Sequence, residues 1–510
     1  MQPKRRSRGF ALAVLLALAL LPRLCVLFAP RADLFRQKNS AAQSEPFIAV
    51  GEEVTKGCVA LEIVRGPLLP VLDYQYTTFF GGSTVVAALA APLFAVFGPR
   101  LWALKAVPIG FHLAAVVLLF LMLDRFATRR AAWIGGLLMA LTPPGYTIIT
   151  TVAWGSHMES NALALLACYL FLDLGSARQG KGWRRLLLGF VLGFSVWFGY
   201  QTLVFVTAIA VLGFLHDPRG FLRGALVQAA GFLVGMIPWF LYNLRHDFAG
   251  VSLYGASLVE HVSPDAGRAG PLRRLGMLLS EGLPASFFFK AWPGLGTLGA
   301  IVLAAGVLAA VWSLRSEIRT ASPHPGVLAL LYLAIFLVIL SISDFQIPAA
   351  DPDIRDIRYV MLMFPFLIIA AAVGADAVAS RVPAIQGPVL GLAAVYALVC
   401  LLAILPYCDR SRFWADHAAS GAPGDGIGRW LALRFGDDLP RLERIVEQAG
   451  RKRTPEQQEA LYLSMGRCLR FMTRPGRALT DWDRAHLDGF LRGRELMRSR
   501  VPEPYRRHFE

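Results

Sequence analysis

Residues 148–160 read IITTVAWGSHMES, which sets His157 and Glu159, with two serines, between long apolar runs. An imidazole and a carboxylate two positions apart can take or give a proton at a bound hydroxyl. The same residues can also form a plain polar turn between two membrane helices. The His-x-Glu spacing matches the zinc deaminase signature, but no Pro-Cys-x-x-Cys partner follows it, and no His-Glu-x-x-His occurs anywhere. Further carboxylates, Asp33, Glu45, Glu53 and Asp73, fall in the segment 31–100, and the cations Arg245, Lys290, Arg355 and Arg358 are spread over residues 243–358 with the amide Asn243. Acids facing bases across a cavity at a membrane surface suit a reaction between a nucleophile and an anionic lipid. Ionisable groups at membrane depth are costly and by default mark a function. The six cysteines lack metal spacing, and neither a divalent metal nor another cofactor is indicated. GSARQGKG (175–182) nearly spells a phosphate loop, but Gly182 stands where a Ser or Thr would hold magnesium. GLGTLG (294–299) opens a membrane helix, where small residues allow close helix packing.

The elements that must position these groups are membrane helices. The chain has 510 residues, is 55% hydrophobic and only 17% charged, and its mean hydropathy is +0.51. Apolar runs long enough to cross a hydrocarbon core of about 30 Å recur from end to end. The expected fold is an all-α polytopic membrane protein of about eleven spans. The first follows the basic N-terminus, and the others fall near 101–123, 131–147, 160–174, 186–199, 201–215, 224–243, 294–313, 327–343, 358–379 and 386–405. The pair at 186–215 reads either as two short helices broken at Gly199 or as one tilted helix.

The net charge of +16 is explained by its distribution and not by a nucleic-acid partner. Lys4, Arg5, Arg6 and Arg8 precede the first span and place the N-terminus in the cytoplasm. Alternate loops carry Arg125, Arg129 and Arg130; Arg178, Lys181, Arg184 and Arg185; Arg219 and Arg223; Arg315 and Arg319; and Arg381. The intervening loops at 148–160 and around Gly199 carry no basic residue, as positive-inside placement demands. Parity then puts the first long loop, His157 and Glu159, the 244–293 loop and the C-terminus on the outer side. The first loop, 31–100, reads as interfacial amphipathic helices within a membrane domain, 1–405. From about Pro406 to residue 510 the composition turns polar and reads as a small soluble helical domain, with Thr454-Pro455 as a helix start. Cys58, Cys408 and Cys468 fall in polar segments, where one disulfide among them is open outside the cytoplasm.

In order along the chain stand a first helix ending in Arg23, a long acidic outer loop, FFGGSTVVAALAAPLFAVFG, an outer loop after the third helix, GFLVGMIPWFLYNLRHDF and RYVMLMFPFL. This order resembles membrane glycosyltransferases of the GT-C superfamily, the group that includes family 39 protein mannosyltransferases and aminoarabinose transferase. The likeness covers about residues 10–380, and PWFLYNLRH is its most telling segment. It implies a polyprenyl-phosphate sugar donor, a glycan, lipid or protein acceptor, and a bacterial inner (plasma) membrane location. It also implies a catalytic carboxylate early in the first outer loop, which falls on Glu45, with Asp33, Glu53 and Asp73 as rivals. The Asp-Glu pair usual at that position is missing here. The resemblance carries a second acid to Glu159, with His157 beside it. The lipid-phosphate contact falls on Arg358, with Arg355, Lys290 and Arg245 as companion cations. The rival classes are a transporter or lipid flippase, disfavoured because the two halves are unlike, and a non-catalytic membrane scaffold.

Overall fold

The computed structural model describes residues 3–28, 51–74, 81–176, 181–251, 270–289, 292–343, 347–348, 354–407, 427–428, 431–432, 435–474 and 481–510. Among them there are helices and turns and no strand. In chain order the helices are α1 (Pro3–Phe28), α2 (Gly51–Arg65), α3 (Gly82–Phe97), α4 (Leu101–Phe126), α5 (Arg129–Ala140), α6 (Pro144–Ile149), α7 (Ser160–Ser176), α8 (Lys181–Phe198), α9 (Leu203–His216), α10 (Pro218–Gly235) and α11 (Ile237–Arg245). Then follow α12 (Pro271–Met277), α13 (Leu283–Ser286), α14 (Pro293–Ser313), α15 (Arg315–Arg319), α16 (Pro325–Ile342), α17 (Ile354–Val360), α18 (Phe364–Arg381), α19 (Gln386–Ala403), α20 (Leu439–Lys452), α21 (Pro455–Met472) and α22 (Asp481–Arg500).

By length and apolar composition, six helices among the described residues can cross a membrane: Arg8–Leu27, Leu101–Phe126, Gly294–Ser313, Pro325–Ile342, Ile357–Arg381 and Pro383–Ala403. The pair α10–α11, bent by 53°, makes a seventh when taken as one broken span, and Gly82–Phe97, Ser160–Gly175 and Tyr200–His216 are shorter apolar helices. The expected count of about eleven therefore draws also on short elements. Three breaks have local causes. The run at 131–147 divides into α5 and α6 at Pro143-Pro144, with Pro144 opening α6. The 186–215 run is two helices: α8 stops before Gly199, whose extended backbone leads into a short 3-10 turn at Tyr200–Thr202. The α10–α11 bend sits at Met236–Pro238, where proline has no N–H to continue the helical ladder.

Compactness divides the chain into two units. One holds residues 1–48, 77–82 and 108–414; the other holds 49–76, 83–107 and 415–510. In the first, α8 and α10 meet backbone to backbone. A Cβ on Gly189, Gly193, Gly231 or Gly235 would stand 2.0–2.3 Å from a carbonyl oxygen of the facing helix, so only hydrogen fits there. Gly296 and Gly299, from the apparent dinucleotide motif, do the same work for α14: a Cβ would stand 2.5 Å from the Pro284 carbonyl and 3.1 Å from Phe287.

One end of this unit is tied by ion pairs. Asp124 of α4 takes Arg8 of α1 at 2.6 Å and Arg129 of α5 at 2.9 Å. Asp173 of α7 takes Arg125 and, at 3.2 Å, Arg184 of α8. Asp376 of α18 takes Arg130 at 2.5 Å and the Thr128 hydroxyl at 2.9 Å. Arg185 donates to the Gly220 carbonyl at 2.9 Å, and Arg381 lies over the Trp312 ring at 4.3 Å. The basic loops read as facing one way thus come together at one end of the bundle. The five ion pairs run through three carboxylates near helix ends, which lets so many cations share one rim.

The second unit has its own buried charges. Glu53 of α2 pairs with Lys105 at 2.7 Å, and both side chains are at most 1% exposed. Glu62 accepts from Arg453 at 2.7 Å and from the Tyr74 hydroxyl at 3.1 Å. The Arg453 guanidinium also reaches the Arg65 and Gly66 carbonyls at 3.0 Å each. Helix α21 starts as read from the sequence: Thr454 caps it, Gln457 returns the bond to the Thr454 N–H, and Pro455 occupies the first turn. Cys58 and Cys468 are free thiols, so they form no disulfide with each other, and Cys408 lies outside the described residues.

Candidate active site

The segment between α6 and α7 is a loop, yet every residue from Thr150 to Ser160 is buried. A buried loop must satisfy its backbone without water, and this one uses its own side chains. The Trp154 indole donates to the Ile149 carbonyl at 3.0 Å, the Ser160 hydroxyl to the His157 carbonyl at 2.5 Å, and the Gln201 amide to the Ser156 carbonyl. The Gly155 N–H donates to Glu159 Oε1 at 3.1 Å. Gly155 has φ +90°, a left-handed conformation that a side chain would strain. Opposite it stands Gly82, where a Cβ would lie 1.8 Å from the Gly155 carbonyl oxygen. Gly82 of the Gly-Gly-Ser-Thr motif is therefore glycine because this loop presses on it, whereas a Cβ on Gly81 would meet the Trp197 ring.

Glu159 is 1% exposed and sits just before the first turn of α7, where the helix dipole favours a negative charge. His157 is 7% exposed, and its Nδ1 lies 3.4 Å from the Ser156 hydroxyl. Its ring meets Tyr359 edge-on at 5.2 Å and Trp154 at 6.0 Å. Arg358 of α17 completes the group. Its guanidinium lies 5.0 Å from the centres of both the Trp154 and Tyr359 rings and donates to the Tyr359 hydroxyl at 3.2 Å. A cation and an imidazole are thus gathered around two aromatic rings, with the Glu159 carboxylate in the same loop, although Arg358 is about 200 positions from His157 in sequence (201 by subtraction). Aromatic faces hold a guanidinium while leaving its edge donors for a planar anion.

The other sequence candidates fall differently. Arg355 belongs to the same helix as Arg358, three residues earlier, so the backbone there is helical as the shared-face reading requires. Arg245 is exposed in the last turn of α11. Glu53 and Asp73 are buried in the second unit, and Glu53 is engaged by Lys105. Glu45, Asp33 and Lys290 lie outside the described residues. Sequence reasoning missed Trp154, Tyr359, Gly82 and Gly155. Only Trp154 carried a usable signal, a large aromatic in a loop of small and polar residues.

Helices of this number and pattern, with an ionic rim at one end and a buried aromatic–ionic cluster of named residues, define a polytopic membrane protein with a built site. No family model and no curated protein matches the chain. The fold is similar to the crystal structure of ArnT from Cupriavidus metallidurans bound to undecaprenyl phosphate. The TM-score is 0.53 at 13% identity, over 97% of this chain and 88% of that one. The apo form of the same protein gives a TM-score of 0.53 at 14% identity, over 97% and 89%. The likeness is one of fold and runs over nearly the whole chain.

Proposed function

We propose that the protein transfers a sugar from a polyprenyl-phosphate-linked donor to a glycan, lipid or protein acceptor at the outer face of a membrane. The observation that carries this reading is the buried Arg358 guanidinium, held by Trp154 and Tyr359 beside His157 in the loop that bears Glu159. It occurs in a chain with the fold of a protein crystallised with undecaprenyl phosphate.

The residue types suit the reaction. The bond from the sugar C1 to the phosphate oxygen breaks, and its electron pair stays with the departing polyprenyl phosphate. A bond forms from the acceptor oxygen to C1 on the opposite face, which inverts the anomeric centre. The acceptor proton passes to a carboxylate. The phosphate is already a good leaving group, so the main requirement is fixed positive charge where negative charge develops. Arg358 supplies it, with Arg355, Lys290 and Arg245 as further cations. Glu45 is the first candidate for the proton acceptor, and Glu159, with His157, is the second. Residues 1–405 are then the transferase membrane domain, with residues 406–510 a soluble helical domain on the same outer side of a bacterial inner membrane.

The test uses purified full-length protein in lipid nanodiscs with a panel of undecaprenyl-phosphate sugars (hexoses, pentoses and aminopentoses) and a bacterial envelope fraction as acceptor. Release of undecaprenyl phosphate, with label appearing in the acceptor, is expected for at least one donor. No release from any donor overturns the reading.

A further inference from the structure

Arg23 of α1 is the most deeply buried cation among the described residues of the first unit, at 0% exposure. All four of its hydrogen bonds go to uncharged oxygens. Nε donates to the Thr150 hydroxyl at 3.0 Å, and Nη2 to the Thr142 hydroxyl at 3.2 Å. Nη1 donates to the Ala19 carbonyl at 2.8 Å and the Ala140 carbonyl at 3.3 Å. Ala140 ends α5, and a helix end leaves such carbonyls without intrahelical partners. Thr150 ends α6. One guanidinium thus holds two helix ends to a third helix. Its partners are themselves linked. The Thr142 and Thr147 hydroxyls are 2.8 Å apart, and the Thr150 hydroxyl reaches the Tyr146 and Thr147 carbonyls at 2.9 and 2.8 Å. The Asn161 amide donates to the Tyr146 hydroxyl at 3.0 Å. Thr150 and Asn161 are the residues on either side of the loop that carries His157 and Glu159. Both ends of that loop are therefore pinned to α6, and α6 is pinned by Arg23.

We propose that Arg23 is a positioning residue for glycosyl transfer: its three-way fork fixes the α6 frame and, through Thr150 and Asn161, the placement of Glu159. The proposal rests on the transfer reading above. Arg358 enters from α17 and donates to Tyr359 of the same helix, so the donor phosphate should keep much of its hold when the fork is lost.

Arg23→Lys keeps the charge but replaces a planar fork with a point donor. Its binding of undecaprenyl phosphate, measured by native mass spectrometry, should weaken far less than its turnover. Its kcat with the donor accepted by wild type should fall about 100-fold, the scale of a misplacement of about 1 Å at a catalytic group. Amide exchange across 150–161 should quicken at least about tenfold, while α14, α16 and α18 keep their protection. Thr150→Val removes one acceptor at nearly constant shape and should shift both readouts the same way by less. Combined with Arg23→Lys it should add less than its own separate effect, because both changes cut the Arg23–Thr150 link. Unchanged exchange over 150–161, or a kcat within twofold of wild type, overturns the proposal. So does exchange that rises across the whole bundle, which marks a general structural role. If wild type releases no undecaprenyl phosphate, the transfer reading falls, and the exchange comparison still decides whether Arg23 clamps the loop.

Discussion

Arg358 could serve the bundle in two ways, and its surroundings separate them. A snorkelling arginine extends toward headgroups and tolerates lysine. Arg358 is instead 8% exposed, with rings on two sides. Arg358→Lys should therefore express and fold normally but lower transfer at least about tenfold, with Arg358→Ala lower still. Near-normal transfer by the lysine variant, in the same release assay, would return Arg358 to a structural role. For Glu159 the informative change is to glutamine. The amide oxygen can still accept the Gly155 N–H, so the loop keeps its bond, but the proton acceptor is gone. If Glu159 is the base, kcat should drop by about 10² to 10⁴ with donor binding retained. Unaltered turnover would leave Glu45 as the acid to test.

At the scale of elements, the loop depends on neighbours that must stay small. Gly82→Ala puts a methyl group 1.8 Å from the Gly155 carbonyl, and backbone cannot move aside as a side chain can. The variant should lose about 1–3 kcal/mol of stability, the usual cost of overpacking, and transfer with it. Thermal unfolding followed by tryptophan fluorescence would measure the first, and an unchanged midpoint would count against the close approach. Helix α2 allows a simpler check. Burial, and then the neighbouring Glu62, push the Cys58 thiol up to about 12. A buried thiol that stays protonated is a poor nucleophile. Cys58 should resist maleimide at pH 8 in the native protein and react once it is unfolded.

For the whole molecule, the basic loops gathered at one end predict a shared side of the membrane. Trp183, 62% exposed beside Arg184, belongs to that end. A cysteine at 183 should react with an impermeant maleimide only after cells are opened. A cysteine at the exposed position 451 of α20 should react in intact cells. The reverse pattern would invert the orientation and remove the outer-face site. Long-range pairing within the second unit is testable as well. Arg453 and Glu62 are 3% and 2% exposed and far apart in sequence. Removing one partner of a buried pair typically costs about 3–5 kcal/mol because the other charge stays behind. Arg453→Ala should therefore lower the melting temperature clearly, whereas Arg451→Ala, at an exposed pair, should not.

Most helices were legible in the sequence because hydropathy is a local sum: a run such as 327–343 needs no partner to declare itself, and α16 covers 325–342. The clustering of the basic loops was legible likewise, since basic residues act near the span they flank, and the structure gathers them at one end of the bundle. Thr454 and Pro455 announced α21 because capping reaches only one turn. What only the tertiary structure decided is pairing across distance. Nothing local to Glu53 says that Lys105 takes its carboxylate, and nothing near Arg23 says that Thr142 and Thr150 receive its fork. His157 and Arg358 could each be singled out alone, but the Trp154–Tyr359 setting that joins them arises where α17 packs beside the loop before α7. Residue type and spacing set which chemistry is affordable at a membrane surface. Which acid remains free to perform it depends on which partners folding brings within hydrogen-bond reach.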